Sequence, residues 1–434
     1  MKELNLDNFR HIHFIGIGGI SMYLLAIYCK KCGIKVSGSD ISKSKYTTIC
    51  KQQGIKIHIG HKRKNVQCAD LVVYNNAIDN SNVELFEARM RKITTISRAE
   101  LLRVVCKKFK CVIGVSGTHG KTTTSAMIYH LLKECGKSVS CHIGGDVKDA
   151  RLNPNDEYLV VECCEYNRSF LSIPCDISVV LNIDNDHLDC YCNMYNLQNA
   201  FKMFAKQAKI RFVFDENSTK CIKVRARRVK PSEIIDNNAF VYENQKYVMN
   251  NVFGVHNINN ATMAVAVGLE LGISSIKLAK ALKSFESVGR RCQVLGNVKG
   301  VDVIIDYAHH PTEIKSLYDS LKSKYKQVFM VFQPHTYSRT KILINEFVKL
   351  FVNFENLAIF KEYSAREDAS KGFSAYQLSQ YLDNSVYIKN YKQLKKWFNY
   401  CEVCENSCVV FVGAGDINLL AEEFVINEGV KTIT

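Results

Sequence analysis

Short β-branched runs, each followed by a polar or glycine-rich loop and then an amphipathic helical stretch, recur from end to end of the 434-residue chain. Strands joined through helices run parallel, and a parallel sheet needs helices on its faces, so the predicted class is α/β. The first unit reads as a strand at 11–17, a glycine turn, a helix ending near Gly33 and a strand at 34–36 that leads to Ser39 and Asp40. Further strands are expected at 71–74, 93–96, 111–115, 158–161, 177–183, 301–305, 328–332 and 409–412. At roughly 150 residues per domain the length suits about three domains. The expected divisions are 1–106, 107–289 and 290–434, the first and last Rossmann-like and the middle one built around a phosphate loop.

A chain that is 47% hydrophobic and 23% charged is neither disordered nor collagen-like. Its 18 cysteines lie within apolar runs at irregular spacing, with no secretory signal ahead of them, and read as reduced thiols of a cytoplasmic protein. The apolar stretch 12–29 is broken by Gly16, Gly18, Gly19 and Ser21, so no stable membrane insertion is expected. The excess of 58 basic over 42 acidic residues, +16, attracts anions without naming one. In the densest run, 220–230, six basic residues alternate with Val224 and Ala226 as a solvated strand face does. No aromatic residue interleaves there for base stacking, and no nucleic-acid partner is expected. Cys401, Cys404 and Cys408 lack a fourth ligand at a familiar spacing, so zinc is not expected either.

Gly16-Ile17-Gly18-Gly19-Ile20-Ser21 lies between a strand and a helix, with Asp40 24 positions beyond the first glycine. Glycines in that setting let the backbone approach a diphosphate at a helix N-terminus while an acid takes a ribose hydroxyl. A nicotinamide dinucleotide and a UDP-sugar both meet that requirement, and Ser21 stands where a third glycine is usual. A stronger signal is Gly117-Thr118-His119-Gly120-Lys121-Thr122-Thr123-Thr124, ahead of a helix expected at 125–135. Its N–H groups and Lys121 would cradle ATP phosphates and the Thr122 hydroxyl would hold Mg²⁺, although Val115 occupies the place of the usual first glycine.

Two acidic stretches follow two further strands, Glu162-Cys163-Cys164-Glu165 and Asp184-Asn185-Asp186-His187-Leu188-Asp189. Open α/β sheets gather ligands at the carboxyl ends of their strands, so Glu165 and His187 are candidate divalent-metal ligands, with helix capping as the competing use. His256, Asn257 and Asn260 open a later helix, where amides can read adenine or simply cap. In the last third, Asp306-Tyr307-Ala308-His309-His310, Gln333-Pro334-His335-Thr336-Tyr337-Ser338-Arg339 and Gly413-Ala414-Gly415-Asp416 each follow an apolar strand. Three polar loops on one sheet edge define a site. Its Arg and His suit a carboxylate or a transferring phosphoryl group, and Asp306 suits an incoming ammonium.

Together these motifs resemble the Mur ligases that build the peptidoglycan stem peptide, and the match runs in order through almost the whole chain. It includes Glu165 followed by Arg168-Ser169-Phe170-Leu171, the pair Arg290-Arg291 and the segment Phe332 to Thr340, which looks like the alanine-adding branch rather than the peptide-recycling one. The resemblance implies a UDP-sugar domain, an ATPase domain and a C-terminal domain that swings near Gly289. It implies ATP and Mg²⁺ as cofactors, UDP-N-acetylmuramate and L-alanine as substrates, and a monomer or weak dimer. Gly16, Gly18, Gly19 and Asp40 would then bind UDP, and the phosphate loop with His256, Asn257 and Asn260 would bind ATP. Thr122, Glu165 and His187 would hold the metal, and Lys121, Arg290, Asp306, His309, His335 and Arg339 would surround the reacting groups. The chain departs from the family at Ser21, at Cys163-Cys164 in place of Ala-Asp, at Asn167 in place of Asp, and at Cys292 in place of an aromatic residue. A ligase for another acceptor, and a nucleotide-holding sensor without turnover, are the competing readings.

Overall fold

The structure is a computed structural model that describes residues 4–75, 77–185, 188–365 and 367–429. Three α/β domains follow one another along the chain, and their internal contacts group into two compact units. One comprises Met1–Glu233, Val241–Val248 and Asn259–Phe285, the other Ile234–Phe240, Met249–Ile258 and Glu286–Thr434.

The first unit holds two parallel sheets. One orders its strands Lys56–Ile59, Lys35–Asp40, His11–Ile15, Leu71–Tyr74, Thr94–Ser97. The chain leaves His11–Ile15 first toward one side and later toward the other, so a crevice opens beyond its carboxyl end, where Gly16 to Gly19 lie. The second sheet runs Arg227–Val229, Ile210–Phe214, Ile177–Val180, Cys111–Ser116, Tyr158–Glu162, Val139–His142. Its reversal beside Cys111–Ser116 likewise places the phosphate loop at a strand end. One apolar core, from Phe14, Leu25 and Val36 through Val105 to Val112, Leu159 and Phe201, joins the two sheets. Each such side chain contributes about 1.5–3 kcal/mol on full burial.

A small sheet of Glu233–Ile234, Ala239–Tyr242 and Gln245–Val248 follows. The sheet of the second unit orders Gln293–Val298, Val301–Asp306, Ser407–Val412, Gln327–Phe332, Asn356–Phe360, Ser385–Ile388, with the first strand antiparallel and the others parallel. Alternate residues feed its two faces: Ile304, Met330 and Val410 pack on one, Val303, Phe329 and Val409 on the other.

Several expected elements shift for identifiable reasons. The strand Lys35–Asp40 continues past the expected 34–36 because its serines find buried partners, Ser37 Oγ lying 2.9 Å from both His11 Nε2 and His13 Nδ1. The strand Ile177–Val180 stops before the expected 183 because Asn182 bonds the phosphate loop instead. The helix Lys121–Glu134 starts four residues early, capped by Gly120 at φ 81°. Within the basic run only Arg227–Val229 is strand; the rest is turn and loop, and its basic side chains stay exposed as expected.

All 18 cysteines are free thiols; Cys29, Cys50, Cys106, Cys141, Cys163, Cys175 and Cys408 are buried. Cys401 donates to the Trp397 carbonyl, and among the described residues it forms no metal-ligating cluster with Cys404 and Cys408. No helix of the described residues is long and apolar enough to cross a membrane.

Candidate active site

The phosphate loop is braced by its neighbour strand. Thr118 N donates to Asn182 O (3.1 Å), His119 N to Asn182 Oδ1 (2.8 Å), and Asp184 N to Thr118 Oγ1 (2.8 Å), while His119 Nε2 lies 3.0 Å from Asp184 Oδ2. Gly120 is required on two counts: its φ is left-handed, and a Cβ there would come within 2.5 Å of Asn260 Oδ1. That approach brings Asn260 against the loop. Lys121 Nζ donates to the carbonyls of Gly117 (2.6 Å) and Thr118 (2.9 Å) and pairs with Glu165 Oε2 at 2.9 Å. Burial works to lower the Lys121 pKa, but Glu165 foremost, then Cys164 and Glu162, outweigh it and hold the ammonium above the ordinary lysine value.

Thr122 Oγ1 donates to Glu162 Oε1 (2.9 Å), and Gly144 N donates to Glu162 Oε2 (2.7 Å). A hydroxyl and two carboxylates, Glu162 and Glu165, thus gather at the end of the loop, and these hard oxygen donors fit a divalent cation such as Mg²⁺. His187 lies outside the described residues. Directly after Glu165 the backbone is left-handed at Asn167 (φ 52°) and Arg168 (φ 55°), and Tyr191 OH donates to the Glu165 carbonyl. Non-glycine residues in that region cost about 1–3 kcal/mol each and cluster at working sites.

At the first sheet, Gly18 N donates to Asp40 Oδ2 (2.8 Å), and a Cβ on Gly18 would crowd Asp40, Ser44 and Thr47. Gly16 to Gly19 and Asp40 are therefore one connected loop. Ser21, in the first turn of the helix Ile20–Lys31, places its hydroxyl 2.6 Å from His142 Nε2 and accepts from Arg98 Nη1 at 3.1 Å. Burial, reinforced by Arg98, pushes the His142 pKa down to about 3.

In the second unit the three polar loops leave the carboxyl ends of the adjacent strands Val301–Asp306, Ser407–Val412 and Gln327–Phe332. Arg290 Nη2 donates to the carbonyls of Gly413 (2.9 Å) and Gly415 (2.8 Å), and the guanidinium lies over the Tyr307 ring. Asp306 accepts from Cys292 N and Ala308 N, both at 2.7 Å, so one oxygen fixes the segment that follows Arg290 and the other its own loop. Burial raises its pKa, opposed by Arg291. The His309 ring stands 5.9 Å from that of His335, which stacks on Tyr363. Burial brings the His309 pKa to about 4 and lowers that of His335, with Arg339 acting in the same direction on both. Gln333 ties the loops together, donating to Asp416 Oδ1 (2.7 Å) and accepting from Ile417 N. Arg290, Cys292 and Thr336 are left-handed at φ 61°, 50° and 67°. His256 Nδ1 lies 2.9 Å from Ser316 Oγ, and Asn257 donates to the Phe253 carbonyl, so in this unit both side chains serve local bonds.

Sequence reasoning did not single out Glu162, Asn182, Asp184, Arg98, His142 or Gln333. Glu162 and Asn182 had a usable signal, since each lies at or just past the carboxyl end of a strand beside the one that feeds the phosphate loop. Arg98 and His142 had none, because they meet only through the packing of the two sheets.

Family models match the chain in three consecutive parts: the Mur ligase family catalytic domain over residues 11–110, the Mur ligase middle domain over 115–268, and the Mur ligase glutamate ligase domain over 290–415. The UDP-N-acetylmuramate--L-alanine ligase of Clostridium novyi is 37% identical, covering 96% of this chain and 98% of its own. The enzyme of that name from Acetivibrio thermocellus is 34% identical, covering 98% of each. Among solved structures, the UDP-N-acetylmuramate-alanine ligase of Thermotoga maritima superposes with a TM-score of 0.80 at 26% identity, covering 96% of this chain and 98% of that one. A murein peptide ligase from Psychrobacter arcticus shares the fold at a TM-score of 0.70 and 21% identity. On the order of its three domains and on the extent of these matches, the chain belongs to the Mur ligase family.

Proposed function

We propose that this chain joins L-alanine to the lactyl carboxylate of UDP-N-acetylmuramate, converting ATP to ADP and phosphate, as a step in making peptidoglycan precursor. The observation that carries the reading is the junction of phosphate loop and acids, where Lys121 pairs with Glu165 beside the Thr122–Glu162 bond, in a chain alignable end to end with alanine-adding relatives. The lactyl carboxylate takes the γ-phosphoryl group of ATP to give an acyl phosphate, and the alanine amine then displaces phosphate through a tetrahedral intermediate. Lys121 and the loop N–H groups stabilise charge on the transferring phosphoryl group. Thr122, Glu165 and His187, with Glu162 alongside, would hold Mg²⁺, which supplies charge neutralisation at the phosphates. His256, Asn257 and Asn260 serve adenine, and Gly16, Gly18, Gly19 and Asp40 serve the uridine diphosphate. Arg290, His309, His335 and Arg339 serve the acyl phosphate and alanine, with Asp306 holding their loops in register.

The domain limits 1–106, 107–289 and 290–434, a cytoplasmic location, a monomeric or weakly dimeric state and the absence of a nucleic-acid partner belong to the same proposal. The test is phosphate release from ATP by the purified chain with Mg²⁺ and UDP-N-acetylmuramate, comparing L-alanine, glycine, L-serine and a preformed tripeptide. Release that requires both the sugar nucleotide and L-alanine is the expected result. Preference for another acceptor moves the chain to a different ligase, and bound nucleotide without release under any condition makes it a sensor.

A further inference from the structure

Arg98 is the first residue of the helix Arg98–Cys106, capped by Ser97. That is the positive end of the helix dipole, an unfavourable place for a cation. It lines a pocket of about 210 Å³ together with Ser21, His142, Glu162, Cys164 and Ser169. Among the described residues Arg98 makes no ion pair, and its one protein acceptor is the Ser21 hydroxyl. Burial lowers its pKa, the expected effect on a cation short of counter-charge. A half-buried guanidinium with most of its N–H groups uncommitted and no carboxylate paired with it weakens the fold unless a ligand completes it.

The neighbours hold that arrangement fixed. His142 is buried and neutral, and the Ser21 hydroxyl, 2.6 Å from its Nε2, accepts from Arg98, so neither neighbour brings a counter-charge to the guanidinium. Glu162 has both oxygens occupied, one by Thr122 Oγ1 and one by Gly144 N. Among the described residues the pocket therefore holds a guanidinium that pairs with no acid, the Glu162 carboxylate on its wall being turned to Thr122 and Gly144, and that wall leads on through Cys164 to Lys121 and Glu165.

Resting on the ligase reading, we infer that Arg98 grips the lactyl carboxylate of UDP-N-acetylmuramate and selects that nucleotide over UDP-N-acetylglucosamine, which has the same diphosphate and sugar ring but no carboxylate. Arg98 thereby delivers the carboxylate toward the phosphate loop. A charge-assisted pair of this kind is read as a change of about ten- to a hundredfold in affinity.

Isothermal titration of the full chain without ATP tests this with both nucleotides. In Arg98→Gln, affinity for UDP-N-acetylmuramate should fall by about ten- to a hundredfold while that for UDP-N-acetylglucosamine holds, and Arg98→Lys should lie between. Equal loss for both nucleotides places Arg98 on the diphosphate and overturns the inference, as does no loss for either. An unaltered chain that binds neither nucleotide overturns the ligase reading itself. A second measurement needs no variant: alkylation of Cys164 by iodoacetamide, followed by peptide mass, should be slowed by UDP-N-acetylmuramate and not by UDP. Equal rates overturn the placement of the sugar in this pocket.

Discussion

Gly120→Ala separates two effects that the geometry superimposes. The residue sits at φ 81°, where an L side chain costs about 1–2 kcal/mol, and this part falls on stability. The added Cβ would also stand 2.5 Å from Asn260 Oδ1 and 3.3 Å from its Cγ. Those atoms end a rotatable side chain, so Asn260 swings away at little cost to the fold, and the loss passes to whatever Asn260 holds. With Asn260 on adenine through one or two hydrogen bonds of about 0.5–1.5 kcal/mol each, ATP affinity should fall by about three- to a hundredfold. Titrations of Mg-ATP and of UDP-N-acetylmuramate on Gly120→Ala, Asn260→Ala and the double variant measure this. The sugar nucleotide should bind unchanged, and the double variant should lose little more ATP affinity than Asn260→Ala alone, because the displaced group is already gone. Additive losses, or an equal loss of both nucleotides, refute the reasoning.

Glu165→Gln removes the carboxylate that holds Lys121 charged, and should lower phosphate release by about ten- to a hundredfold and raise the Mg²⁺ needed for half-activity; an unchanged Mg²⁺ titration counts against a metal role. Asp306→Asn keeps one acceptor but points an NH₂ at a backbone N–H, so the second unit should lose about 1–3 kcal/mol in denaturant unfolding. His256 and His309 have folded pKa values of about 4 against 6.5 when exposed, so unfolding lets both take protons. The stability they support is complete above about pH 6.5 and falls as the pH drops toward 4, by about 1.4 kcal/mol each at pH 5.5. Denaturant unfolding at pH 7.5 and 5.5 should show that slope, and His309→Gln should reduce it by about half.

Local residue patterns fixed the elements whose cause is local. The glycines, Lys121 and Thr122 were legible because a phosphate loop is a contiguous stretch between strand and helix. The three C-terminal loops were legible because each directly follows its strand. What escaped depends on contacts between distant segments. Ser37 and Ser39 look like the end of a strand until His11, His13 and Glu84 bury them. Asp306 looks like a free acid until two backbone N–H groups occupy it. Arg98 and His142 are 44 residues apart in sequence and share Ser21 only because two sheets pack on one core.

Seven buried thiols in a chain without a disulfide give the protein an internal clock for its own opening. Cys68, Cys192 and Cys404 are exposed and react with an alkylating pulse at once, whereas Cys29, Cys141 and Cys163 wait for the first unit to open and Cys408 for the second. Peptide masses taken after timed pulses therefore read the opening equilibrium of each unit separately in one sample, with no probe introduced.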